Sequence, residues 1–149
     1  MQGNRNPLLY KNIGADGIKT GHTDAGGYGL AGTAVRDGRR VIMVLNGMAS
    51  IRQRDEESAR MIEWAFREWG AYTLFKAGEA VETAEVWQGR TKDVPLVMEH
   101  DAQVTMSRAA RPNLKVSVQY QGPIPAPITK GTRVATLVAE APNTPRVEL

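Results

Sequence analysis

The dipeptide Asp37-Gly38 lies between two strand-like runs, residues 28–36 and 39–46, and constrains the fold more than any other feature of the chain. A two-residue hairpin loop of type I′ needs positive φ at both central positions, which Asp-Gly supplies at little steric cost. The two runs are therefore expected to be antiparallel neighbours. A further short strand is expected at residues 15–21. Residues 41–45 are continuously apolar, the pattern of a strand covered on both faces of its sheet.

The hydrophobic period then changes. Ile62, Ala65, Phe66 and Trp69 recur at three- and four-residue spacing, with Arg60, Glu63, Arg67 and Glu68 largely opposite, which describes an amphipathic helix packed on something. Gly70 is placed to stop it. Two starts compete. Ser50 and Gln53 have the spacing of a capping box, whereas Asp55, Glu56 and Glu57 suit a first turn at the positive end of the helix dipole. A start near Asp55 is preferred.

Beyond Tyr72 only short strands are expected. Leu114, Val116, Val118 and Tyr120 alternate with Lys115, Ser117 and Gln119, a half-buried strand of period two. Comparable runs occupy residues 80–87, 94–98, 103–106 and 132–138. Turn signals separate them at Gln88-Gly89, Arg111-Pro112-Asn113, residues 123–127 and Lys130-Gly131. Strands at this spacing suggest a small β-sandwich, and a domain boundary falls at about residues 70–76. Trp64, Trp69 and Trp87 read as core or interdomain packing, and Met43, Met48, Met61, Met98 and Met106 as core filler. His100, beside Asp101 in a turn, reads as a surface residue.

Composition excludes several classes of function. The chain has 149 residues and no cysteine, so disulfides, thiolate metal sites and cysteine nucleophiles are out. His22 and His100 stand far apart without a metal-ligand spacing, and no metal or cofactor is expected. The net charge of +3 resides in the first 50 residues, with six Lys/Arg against three Asp/Glu, and only Arg39-Arg40 are adjacent. That is no nucleic-acid surface. No apolar run approaches the roughly 20 residues that span a bilayer, and the first seven residues are no secretory signal. If the protein is exported, its address is expected outside this chain.

The chemistry concentrates in Asp16-Gly17-Ile18-Lys19-Thr20-Gly21-His22-Thr23. Lys19 and Thr20 put a cation and a hydroxyl on a strand edge where Gly21 leaves the backbone open to a ligand. Such an edge can pair with an extended peptide while the lysine and the hydroxyl hold a carboxylate. The tripeptide alone reads more readily as an ordinary strand and turn than as a site.

Its context is more specific. Asn4-Arg5-Asn6-Pro7-Leu8-Leu9, the segment 15–23 and Gly26-Gly27-Tyr28-Gly29-Leu30 closely resemble the serine D-alanyl-D-alanine carboxypeptidases, the low-molecular-weight penicillin-binding proteins. The resemblance continues through Arg39-Arg40-Val41-Ile42 and Trp64-Ala65-Phe66. In the tail it is carried by Val86-Trp87, Val94-Pro95-Leu96, Asn113-Leu114-Lys115-Val116 and Ala126-Pro127-Ile128. It implies an α+β chain: residues 1–72 as the C-terminal part of a β-lactamase/transpeptidase-like catalytic domain, and 73–149 as a small all-β, sandwich-like domain.

The resemblance also implies roles. Lys19 supplies positive potential in an acyl-transfer site, the Thr20 hydroxyl contacts the substrate or β-lactam carboxylate, and Gly21 keeps the edge clear. His22 contributes its backbone N–H to the oxyanion hole. Arg54 aligns with an arginine that binds the terminal carboxylate of the substrate, with Arg52 the nearby competitor. The reaction implied is removal of the terminal D-alanine from peptidoglycan stem peptides through an acyl-serine.

That mechanism needs Ser-x-x-Lys and Ser-x-Asn. The four serines, Ser50, Ser58, Ser107 and Ser117, fit neither motif. The chain is thus expected to begin inside the catalytic domain, to be inactive alone, and to associate with the missing N-terminal part or with a second copy. The family implies a periplasmic location at the outer face of the inner membrane, with signal and anchor absent here. Two alternatives remain: a non-catalytic envelope-positioning module, and a serine β-lactamase fragment, against which the β-rich tail argues.

Overall fold

The computed structural model describes residues 3–149; Met1 and Gln2 lie outside the described residues. The chain divides into two compact units, one ending at Trp69 and the other comprising Gly70–Leu149.

In the first unit β1 (Ala15–Thr23), β2 (Gly27–Arg36) and β3 (Arg39–Met48) form an antiparallel sheet in that order. Asp37 and Gly38 close the second hairpin with φ of 49° and 76°, as the dipeptide requires, and Arg36 and Arg39 are its last pair. The 18-residue helix α1 (Ile51–Glu68) follows. A 3-10 turn at Pro7–Tyr10 precedes the sheet, its N-terminus capped by the Asn6 side chain, which accepts from the Leu8 N–H at 3.0 Å.

Leu8, Leu30, Ala34, Met43 and Ile62 form the core of this unit. Full burial of an aliphatic side chain stabilises by about 1.5–3 kcal/mol. Gly32 gives Leu8 room against the sheet: a Cβ there would come within 2.8 Å of Leu8 Cδ1 and 3.0 Å of Met43 Cε, so both side-chain ends would have to shift.

Four expectations are corrected here. The run 41–45 is not covered on both faces. Met43 is buried, but Ile42 and Val44 are 65% and 75% exposed. Among the described residues α1 and the N-terminal turn cover one face of the sheet, so the strand obeys period two despite its uniform composition.

The helix starts at Ile51, not near Asp55. Ser50 is the N-cap, its Oγ accepting from the Gln53 N–H at 3.1 Å, while Gln53 Oε1 accepts from the Ala49 N–H at 2.7 Å. Two orphan donors near the helix start are thereby satisfied, which outweighs the weaker, screened attraction of acidic residues for the dipole. Nor does Gly70 stop the helix. The chain turns extended at Trp69 (φ −113°, ψ 150°) and continues directly into β4 (Trp69–Phe75).

Trp64, Trp87 and Met61 are exposed rather than core, whereas Met43, Met48 and Met106 are buried as expected.

The helix is held by arginine as much as by apolar contact. Arg36 donates through Nη1 to Glu63 Oε2 at 2.9 Å, its Nη2 also bonds Oε1, and its Nε donates to the Ile13 carbonyl at 3.0 Å. Arg39 Nη2 donates to the Ala65 carbonyl at 3.0 Å. Both guanidinium groups lie over the Phe66 ring, at 4.6 and 4.8 Å from its centroid, a cation–π arrangement. The Arg36 hydrogen bonds hold the Glu63 carboxyl below its ordinary value.

The second unit is all β. After β4 come β5 (Ala80–Trp87), β6 (Asp93–Val97), β7 (Ala102–Ser107), β8 (Lys115–Tyr120), β9 (Ile124–Pro125), β10 (Ala135–Glu140) and β11 (Val147–Glu148). They pair as β4-β7, β6-β5-β9 and β11-β10-β8. The ladders β5/β6 and β8/β10 are antiparallel, and the short β9 runs parallel to β5. Two clusters fill the unit, one on Ala84, Leu96 and Ile124, the other on Val104, Met106 and Ala139. The turn signals at Gln88-Gly89, Arg111-Pro112-Asn113 and Lys130-Gly131 fall between these strands, with positive φ at Gln88 (59°) and Gly131 (87°), whereas residues 123–127, expected as a turn, contain β9, which pairs with β5.

Two stability measurements follow, both by urea unfolding followed at Trp64 and Trp69 in a Trp87→Phe background. Met43→Ala is expected to cost about 2–5 kcal/mol and Val44→Ala less than about 0.5 kcal/mol; equal losses would mean that both faces of β3 are covered. Glu63 ionises below its ordinary value of 4.5 when folded, so its pairing stabilises above that pH and the contribution fades as pH falls through the folded value. Glu63→Gln is expected to cost about 0.5–1 kcal/mol at pH 7, since the pair is partly exposed, with the difference from the parent closing as the pH falls below 4.5 and the carboxylate takes up its proton.

Candidate functional site

β1 is the edge of its sheet, paired with β2 on one side only among the described residues. The register places Lys19 opposite Ala31, Thr20 opposite Leu30, Gly21 opposite Gly29 and His22 opposite Tyr28. The strand is pinned at its start by Arg40 of β3. Arg40 reaches across β2 to bond Asp16 Oδ1 and Oδ2 at 2.9 and 2.8 Å, and Thr33 Oγ1 at 2.7 Å. Hydrogen bonds from Arg40 hold the Asp16 carboxyl below its ordinary value.

Lys19 is exposed, and its Nζ donates to the Thr20 carbonyl at 2.9 Å. This bond keeps the ammonium beside the edge. A Cβ at Gly21 would meet nothing within 4 Å, so the strand is open where a ligand backbone could approach. The His22 ring stacks on Tyr28 with centroids 4.1 Å apart and 34° between planes.

Tyr28 is also the link to the helix. The Arg54 guanidinium lies 5.9 Å from the Tyr28 centroid, and the residue is only 6% exposed. Its Nη2 donates to the Arg5 carbonyl at 3.3 Å, while its buried Nε has no hydrogen-bond partner. A buried guanidinium with an unused donor is costly unless something supplies an acceptor. Arg52 has a different situation: it is strongly exposed and pairs with Glu56 at 2.7 Å, one turn along α1. Geometry thus separates two arginines that sequence register left as competitors.

The local reason is helical phase. Arg54, Ser58 and Ile62 are four residues apart and share the buried face of α1, with Phe66 following. That i, i+4, i+8 line was present in the sequence, hidden because its first two members are polar. Sequence reading also missed Tyr28, Asn6 and Arg5 as neighbours of the site. The buried Asn6 shapes the turn that carries the Arg5 carbonyl to Arg54.

The serines of the first unit are occupied structurally: Ser50 caps α1, and Ser58, fully buried, donates to the Asp55 carbonyl at 3.2 Å. Ser107 and Ser117 belong to the second unit, on β7 and β8. Among the described residues no cluster of three or more His, Asp or Glu could hold a metal ion.

A strand edge bearing Lys-Thr-Gly, flanked by a buried cation and followed by a separate all-β unit, is the architecture of a penicillin-binding protein. Residues 1–49 match the D-alanyl-D-alanine carboxypeptidase family, and residues 69–144 match the C-terminal domain of penicillin-binding protein 5. The chain belongs to this family of carboxypeptidases, and the identity of its second unit separates it from the β-lactamases.

Similar proteins include the D-alanyl-D-alanine carboxypeptidases DacD and DacC of Escherichia coli, 32% and 36% identical over 138 residues each. Those alignments take in 91% of this chain but 36% and 34% of the relatives, so the chain spans about a third of their length. Penicillin-binding protein 5 of Haemophilus influenzae superposes with a TM-score of 0.82 at 28% identity, over 99% of this chain and 44% of that one. The carboxypeptidase DacD of Francisella tularensis does so with a TM-score of 0.71 at 33% identity, over 99% and 37%.

The contact between His22 and Tyr28 has a direct readout. Stacking shifts the His22 ring protons upfield in the NMR spectrum, and Tyr28→Leu is expected to abolish that shift, while Arg52→Ala leaves it in place. Retention of the shift in Tyr28→Leu would contradict the stack.

Proposed function

We propose that this chain carries the substrate-anchoring wall of a serine D-alanyl-D-alanine carboxypeptidase, and that the nucleophile is supplied by protein outside these 149 residues. The observation that supports this most directly is the buried Arg54, with its unused Nε, joined through Tyr28 and His22 to the open Lys19-Thr20-Gly21 edge.

In this reading a stem peptide lies along β1 in extended form, using the open main chain at Gly21 for strand addition. Its terminal carboxylate is held by the Thr20 hydroxyl and the Arg54 guanidinium, a charge-assisted pairing stronger than a neutral one. Lys19 contributes positive potential where negative charge develops on the attacked carbonyl. The His22 backbone N–H donates to that oxygen in the tetrahedral intermediate, together with the N–H of the absent serine. The serine attacks the carbonyl of the penultimate D-alanine, the terminal D-alanine leaves as an amine, and water hydrolyses the acyl-serine. A β-lactam enters the same wall through its own carboxylate and acylates the same serine.

The exposed Ile42 and Val44 are assigned to contact with the remaining catalytic part or, in its absence, with a second copy. In this reading the intact protein works at the bacterial cell envelope, on the outer face of the inner membrane. Among the described residues no helix is long and apolar enough to cross a membrane.

The test uses a fluorescent penicillin on two proteins: the 149-residue chain and a longer form that includes a Ser-x-x-Lys motif. The longer form is expected to label covalently and the short chain to remain unlabelled; labelling of the short chain would overturn the reading. In the longer form, Arg54→Ala is expected to lower kcat/KM for a D-Ala-D-Ala peptide by about 10- to 150-fold, the worth of a hydrogen bond to a charged group. Arg52→Ala is expected to change it by less than about twofold, as for an exposed ion pair.

A further inference from the structure

The second unit carries a shallow, solvent-open cleft of about 580 Å³ at the end of the β8/β10 ladder. A cleft this open suits an extended ligand that lies along the surface rather than one that is enclosed. Ile124, buried, and the Tyr120 ring supply the apolar lining; Gln119, Gln121, Arg133 and Thr136 supply the polar lining. No carboxylate lines it.

The polar groups are biased towards donation. Gln119 sits across the ladder from Thr136, and its Oε1 accepts from Arg146 Nη2 at 3.2 Å, so its NH₂ group remains to donate. Arg133 donates to Thr136 Oγ1 at 3.4 Å and has no ion-pair partner among the described residues. The Tyr120 ring rests against Gly122, where an added Cβ would lie 3.0 Å from Tyr120 Cε2. The glycine leaves space that the ring occupies.

An aromatic surface beside a row of unopposed amide and guanidinium donors suits a ligand with an apolar face and a rim of oxygen acceptors. A pyranose has that form. Its C–H face covers an aromatic ring, and its hydroxyl and acyl oxygens accept at the periphery. We propose that this cleft binds a short stretch of N-acylated glycan, with Tyr120 as the stacking platform and Gln119, Gln121 and Arg133 as donors. The choice of the glycan of the wall polymer rests on the function proposed above, whereas the donor-rich chemistry of the cleft is independent of it. A glycan held here would keep the enzyme on the polymer whose peptides it trims.

The test is titration of the ¹⁵N-labelled 149-residue chain with two probes, the N-acetylglucosaminyl–N-acetylmuramic acid disaccharide without peptide and the stem pentapeptide without sugar. Amide shifts confined to residues 119–124 and 133–136 with the disaccharide are expected, with affinity weakened about tenfold in Tyr120→Ala and retained in Tyr120→Phe. Arg133→Gln is expected to weaken it about three- to tenfold. The absence of localised shifts at millimolar disaccharide, shifts of residues 119–124 and 133–136 with the pentapeptide but not with the disaccharide, or full affinity in Tyr120→Ala in a variant whose spectrum stays folded would each overturn the proposal; shifts along β1 with the pentapeptide belong to the carboxypeptidase reading. Penicillin labelling of the longer enzyme with no disaccharide binding here would remove the cleft proposal and leave the carboxypeptidase reading intact.

Discussion

The Phe66 ring lies beneath two arginines of the β2–β3 hairpin, and the placement of α1 on its sheet depends on that contact. Arg36 joins the hairpin to Glu63, and Arg39 joins it to the Ala65 carbonyl, so the C-terminal half of the helix is fixed in rotation as well as in distance. Apolar burial alone tolerates some rotation because dispersion is non-directional. Bidentate guanidinium bonds do not. Once Phe66 and Ile62 are phased inward, the four-residue line along the helix carries Ser58 and Arg54 inward too.

That phase explains why a polar residue is buried in a small domain. Arg54 lies where Tyr28, Arg5 and the 3-10 turn converge, and the turn is itself held by Leu8 packed over Gly32. A second ion pair, Lys11 with Asp55 at 2.7 Å, ties the residue after the turn to the same end of α1. Residues 5–11 therefore help to build the end of α1 where Arg54 lies. Through Tyr28 and His22, the same end is connected to the far end of β1. Polar and aromatic contacts link the two parts of the site across the top of the sheet.

Much of this was legible in the sequence. Asp37-Gly38 announced its hairpin because the backbone geometry it needs admits few residues, and Lys19-Thr20-Gly21 was recognisable because its neighbours extend a family pattern. What the sequence leaves open has two causes. Composition cannot say which face of a sheet has a neighbour, nor what stacks on an aromatic residue in a strand: Ile42 and Val44 differ from Met43 only in where α1 lies, and Tyr28 carries no mark of His22. The helix start is instead a contest of two local signals, in which the side-chain hydrogen bonds at Ser50 and Gln53 outweigh the acidic residues that follow.

The hairpin, the order of the strands along the chain, the helix face carrying Ile62 and Phe66, and the family are written in local backbone preference, period and motif, and so can be read before anything is packed. Packing set Arg52 and Arg54 in different surroundings, Arg54 buried beside Tyr28 and Arg52 exposed and paired with Glu56, since two positions on a helix point about 200° apart. It also decided that Arg54 is buried with a free donor, that His22 stacks on Tyr28, and that Tyr120 and Arg133 share a cleft. Each of these is a juxtaposition of residues distant in the chain or opposite in phase, fixed only when the helix and strands pack.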